Sequence, residues 1–118
     1  MTELIIGRAS DVEPQDKGEI SVRNLIKDLT EAPDVSVSLV TLKGGKNKTV
    51  KQEASWAFYY VLKSEGNCLF NIDGENYLAE EGSYFLIPPN TPYYDQGCMD
   101  ILTVCSPHYD PDKVKYLD

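Results

Sequence analysis

Histidine is nearly absent from this chain: His108 is the only one in 118 residues, so no site built from several imidazoles can be assembled from it. Basic residues are also few. Eleven Lys and Arg stand against 19 Asp and Glu, and the net charge of −8 repels phosphate backbones and anionic lipid, which argues against nucleic acid and membrane as partners. Cysteine is sparse and unpatterned. Cys68, Cys98 and Cys105 are odd in number and have no CxxC spacing, so neither a disulfide framework nor a zinc knuckle is expected; they read as reduced, mostly buried thiols. Nowhere do 18 apolar residues follow one another, and the amino end, MTELIIGRASDVEPQDKG, has neither a long apolar run nor a basic leader. A cytoplasmic location is expected on that basis, with Asn47-Lys48-Thr49 an accidental sequon. Internal repeats and low-complexity linkers are missing too, which leaves a single domain over residues 1–118.

What the chain does have is short apolar segments with frequent punctuation. Val35, Val37 and Leu39 alternate with Ser36, Ser38 and Val40, the period of a strand with one buried face. A turn is expected at Lys43-Gly44-Gly45-Lys46-Asn47. Trp56 to Leu62, WAFYYVL, is too short for a helix and rich in β-formers, and Ser64-Glu65-Gly66-Asn67 should end it. Cys68 to Ile72 alternates again and runs into Asp73-Gly74, a pair that tolerates the positive φ of a type I′ hairpin, so Tyr77-Leu78-Ala79 should pair back across it. After Glu81-Gly82, strands are expected at Tyr84 to Ile87 and, beyond Gly97, at Asp100 to Cys105. Strands this short and this evenly spaced describe an all-β sandwich or barrel. Only Leu25-Ile26-Lys27-Asp28-Leu29 hints at helix, and Pro33 stops it. The tail from Pro107 to Pro111 reads as an extended segment laid over the surface.

Tyr60-Val61-Leu62, Ile72-Asp73-Gly74, Glu81-Gly82-Ser83 and Ile87-Pro88-Pro89-Asn90-Thr91-Pro92 succeed one another in an order and spacing that resemble the cupin superfamily, over roughly residues 35–107. That resemblance implies a double-stranded β-helix, or jelly-roll barrel, with a ligand site inside it and commonly a homodimer. It also exposes a departure. Where metal-binding cupins place a histidine after the proline turn, this chain has Tyr93, and their first-motif histidines and glutamate fall near Lys51, Glu53 and Ala57. With no converging imidazoles the expectation is no transition metal and no cofactor, although Glu53, Asp95 and Tyr93 offer oxygens to a hard ion.

The same register suggests a replacement chemistry. Residues two apart on a strand share a face, so Lys51 with Glu53 and Tyr93 with Asp95 would meet at the barrel mouth, with Tyr59, Tyr60 or Trp56 as a stacking surface. Such a set suits a small polar molecule of sugar or carboxylate type. Glu53, Tyr93 and Asp95 are also the catalytic candidates, because a buried carboxyl group and a phenol could move a proton beside a carbonyl, as an isomerase or epimerase does. Plainer readings stand beside these: Lys51 and Glu53 as a solvated pair worth at most about 1 kcal/mol, Trp56, Phe58 and Phe70 as core, Tyr94 pointing away from the mouth, and His108 as a surface residue. A third function, assembly through the Tyr-rich outer sheet face, would go with a barrel packed solid. Whether the chain is an enzyme stays open among these readings.

Overall fold

The computed structural model describes residues 4–26 and 32–117. Nine strands follow in order: β1 (Gln15–Asp16), β2 (Ile20–Asn24), β3 (Ser36–Lys46), β4 (Val50–Gln52), β5 (Trp56–Ile72), β6 (Glu75–Leu78), β7 (Tyr84–Ile87), β8 (Tyr93–Ser106) and β9 (Val114–Tyr116). Among the described residues there is no α-helix. Leu25 and Ile26, where a helix was expected to start, instead direct their N–H groups at Val37 O, and 27–29 lie outside the described residues.

β8 organises the rest, because its sequence alternates at period two over almost its whole length. Tyr93, Asp95, Gly97, Met99, Ile101 and Cys105 are buried, while the residues between them are partly exposed. One edge of β8 pairs with β3 from Ser36↔Cys105 to Lys46↔Gln96, and the other pairs with β5 from Trp56↔Ser106 to Ile72↔Tyr93, all antiparallel. β1 and β2 extend the β3 side, β6 and β7 extend the β5 side, and β4 with β9 completes the curl near Tyr93.

Two expected turns turn out to be bulges. The chain does not stop at Ser64 to Asn67; β5 runs straight through, because β8 offers it a continuous partner, with Glu65↔Cys98 before the irregularity and Leu69↔Gln96 after it. Gly66, at φ +71, absorbs the extra residues. Gly44, at φ +120, does the same in β3, where the register with β8 shifts between Lys43 and Lys46. Likewise β8 begins at Tyr93 rather than after Gly97. The Asp73-Gly74 hairpin forms as expected, with φ +51 and +87 and Phe70 opposite Tyr77.

Row by row along the inner wall, the side chains change from apolar to polar. Leu42 with Met99, then Val40 with Ile101 and Val61, form a floor continuous with Phe70 and Phe85, whose rings stack at 4.6 Å. The next rows are Ser38, Thr103 and Tyr59, then Ser36, Cys105 and Ala57. The inward face of β3 is therefore the serine face and not the Val37–Leu39 face, and the lumen above the floor is polar. Of the three aromatic residues expected in the core only Phe70 is fully buried; Trp56 is 47% exposed and Phe58 is only half-buried, because both sit on the outward register of β5, where Ala57 between them is the core residue.

Candidate functional site

The polar rows open into a cavity of ≈ 890 Å³ whose wall includes Asn24, Gln52, Tyr59, Tyr93, Asp95 and Thr103. Three side chains form its most ordered part. Gln52 Nε2 donates to Tyr93 Oη at 2.8 Å, and Tyr93 Oη lies 2.7 Å from Tyr59 Oη, with all three residues buried. The rings of Tyr59 and Tyr93 meet edge-on at 5.6 Å, and Tyr59 rests on Phe70 at 5.1 Å. Burial pushes both phenols up, so each is a neutral O–H group able to donate.

Asp95 shares the inward face of β8 with Tyr93, as the spacing of two requires. Burial raises its pKa, opposed by Asn47, whose Nδ2 donates to Asp95 Oδ1 and whose backbone N–H donates to Asp95 O at 3.0 Å. Cys105 is likewise pushed up by burial, against hydrogen bonds involving Gln52 and Ser36; it is a thiol and not a thiolate.

Lys51 and Glu53 are not brought to this cluster. The register of β4 is one residue from the expected one: Val50 and Gln52 face inward, Lys51 stands opposite Lys115, and Glu53 forms an ion pair with Lys115 at 3.3 Å on the outside. The physical reason is ordinary alternation, which buries the uncharged Val50 and Gln52 and leaves the charges in water. Tyr59, Tyr93 and Asp95 do come together. Tyr94 does not turn wholly away as expected: it also borders the cavity, beneath the Lys46 ammonium at 4.2 Å from its ring.

His108 is buried rather than superficial. Its Nδ1 sits 2.8 Å from Ala32 O and 2.9 Å from Val35 O, and because both oxygens can only accept, Nδ1 carries the proton. The tail thus fastens the 32–35 segment and then supplies β9, which pairs with β4 along the cavity edge. Sequence reasoning missed Gln52, Asn47, Asn24, Ser38 and Thr103 as wall residues. For Gln52 the signal was present, in the alternation of Val50 and Gln52 with two charged residues. For Asn47 it was hidden behind the sequon. Among the described residues no three or more of His, Cys, Asp and Glu converge as a metal site would require.

No protein-family model matches the sequence, and no curated protein sequence does. Solved structures match its shape closely. A variant of Pac13 from Streptomyces, bound to uridine, superposes with a TM-score of 0.82 at 19% identity, over 94% of this chain and 88% of that one; Pac13 is described as a nucleoside dehydratase. A protein from Planctomyces limnophilus gives 0.83 at 19% identity, over 97% and 96% of the two chains. An RmlC-like cupin from Shewanella frigidimarina gives 0.76 at 17%, over 93% and 96%. At these identities the likeness is one of architecture, and with the curled nine-stranded sheet and its polar lumen it leads to one conclusion: this chain has the cupin fold.

Proposed function

We propose that the barrel binds a small polar ligand, of sugar or carboxylate type, without a metal ion. The observation that carries this reading is the Gln52–Tyr93–Tyr59 hydrogen-bonded chain on the wall of a ≈ 890 Å³ cavity. A cavity in the range of roughly 300–1,000 Å³, with an apolar floor and a few fixed polar groups, is the usual form of a small-molecule site. That Pac13, with a similar fold, has been seen with uridine supports the reading without naming the ligand here. An open cavity weighs against a purely structural role for the barrel. The test is a thermal-shift screen of sugars, sugar acids and nucleosides. A ligand present at about a hundred times its dissociation constant adds about 2.7 kcal/mol of stability, and the gain should shrink in Tyr93→Phe. Failure of every class to raise the melting temperature would overturn the reading.

A second reading is favoured by one observation, the burial of Asp95 beside two neutral phenols. A carboxyl group whose pKa burial raises is shifted toward exchanging a proton with a ligand oxygen, with Tyr59 or Tyr93 donating to the developing charge, as an isomerase or epimerase acting on a sugar or small carbonyl acid requires. Turnover lost in Asp95→Asn with affinity retained would establish the enzyme; affinity lost with no turnover in either form would leave the binding module.

The partner proposal is a homodimer through the outer sheet face. There Tyr84, Tyr60, Leu102 and Leu39 form one cross-strand row and Leu86, Phe58, Val104 and Val37 the next, an uncharged surface on a chain of net charge −8.

A further inference from the structure

The charge around the cavity runs opposite to the charge of the chain. Overall the protein carries −8, yet among the described residues the exposed ones on the cavity wall include Lys17, Lys46 and Lys48 and one carboxylate, Glu19. Exposure places these four at the mouth, and the buried residues form the depth. Two of the ammonium groups are seated there by aromatic rings, Lys46 over Tyr94 at 4.2 Å and Lys48 over Tyr116 at 5.7 Å. Among the described residues on the wall the acidic group in the depth is Asp95, whose pKa burial raises.

A second observation lies deeper. Cross-strand register sets Asn24, Ser38, Thr103 and Tyr59 in one row across β2, β3, β8 and β5, all four on the cavity wall. Ser38 Oγ donates to Asn24 Oδ1 at 2.7 Å and Tyr59 Oη bonds to Tyr93. Between them Thr103 Oγ1 is buried and finds no hydrogen-bond partner in the protein. Buried hydroxyls are ordinarily satisfied, and a row of hydroxyl and amide groups facing a cavity is chemistry matched to the hydroxyls of a ring or polyol.

Resting on the reading that the barrel binds a small molecule, we infer that its ligand is a hydroxylated ring or chain bearing a carboxylate or a phosphate, with the anion between Lys17, Lys46 and Lys48 and the hydroxyls along the Asn24–Ser38–Thr103–Tyr59 row. The net charge of the whole chain conceals this preference, because it is local to the mouth.

Matched pairs test it by calorimetric titration: glucose against glucuronate, and uridine against uridine 5′-monophosphate, each at about 50 mM and about 500 mM salt. The anionic member of at least one pair should bind about tenfold or more tightly at low salt, and the pair that responds tells carboxylate from phosphate. High salt should shrink that advantage, and the double variant Lys17→Gln with Lys48→Gln should lose it. Thr103→Val should weaken both members of a pair by similar factors. Equal affinity within both pairs overturns the anion inference and leaves the binding reading intact. Saturation by none of the four at millimolar concentration, with the Tyr59 and Tyr93 amide resonances unmoved, overturns both.

Discussion

The hydroxyls of Tyr59 and Tyr93 meet at 2.7 Å although Tyr59 stands opposite Thr103 in the β5–β8 ladder, ten residues along β8 from Tyr93. A straight strand would separate those two points of β8 by about 33 Å, so the contact reports how far the sheet curls to enclose the lumen. Removing one oxygen should therefore be felt across the barrel. In Tyr93→Phe, the Gln52 amide and the Tyr59 hydroxyl both lose their partner, at a cost of about 1–3 kcal/mol. Urea denaturation should show a lower midpoint at unchanged slope, and adding Gln52→Leu should recover part of the loss, because it removes one stranded donor.

Asp95 gives a pH signature of defined sign. Burial places its folded pKa above the value of 3.8 that an ordinary aspartate has, so between those two values the native state holds more protons than the unfolded one. Its contribution is fully present below the ordinary value and is lost as pH rises through the raised one. Asp95→Asn carries no such charge and keeps an amide for Asn47. The variant should match the wild type in the acid range and exceed it near pH 7, where about 1 kcal/mol corresponds to roughly 4 °C in Tm. A difference that grew on acidification instead would show that Asp95 is stabilised as the anion.

At Gly97 β8 lies tight against Cys68 of β5. The glycine's φ is +121, and a Cβ there would fall 2.6 Å from Cys68 Sγ and 2.9 Å from Cys68 Cα. Gly97→Ala should lower stability by about 2 kcal/mol or more, since strain and overlap act together. Cys68→Ala should not rescue it, because the backbone contact remains; recovery of the wild-type melting temperature in that double variant would refute the account.

Leu86 is 59% exposed and sits in the outer row with Phe58. If that face joins two copies, a dimer interface needs about 800 Å² from each partner, and a lysine at the β7 end of the row would put a charge from each copy into an uncharged contact. Sedimentation should then show a dimer for the wild type and a monomer for Leu86→Lys with unchanged circular dichroism. A wild-type monomer would remove the proposal.

The sequence carried the fold well because the information it needed was local. Asp73-Gly74 can sit at positive φ, the segments beside it alternate, and that combination defines a hairpin without reference to the rest of the chain. The bulges were harder. Gly66 and Gly44 look like turn glycines until a long partner strand is known to run past them. The site was legible only in part. Tyr93 and Asp95 were placed by the cupin resemblance, which sets a site residue just after the proline turn, although the strand itself was expected only beyond Gly97, whereas β4 is three residues long and its register depends on β9, more than 60 positions later. His108 could not be read as buried, because its partners, the carbonyls of Ala32 and Val35, are backbone atoms that any residue would supply.

One consequence of the topology concerns synthesis. β3 and β5, the two long walls, are joined only through β8, which is the last long strand to be made. A ribosome adding roughly 5–20 residues per second exposes β3 and β5 with their inner edges unmatched for several seconds before Ser106 is released. The nascent chain therefore cannot join its two long walls until its seam strand arrives, and β9, made later still, completes the curl against β4.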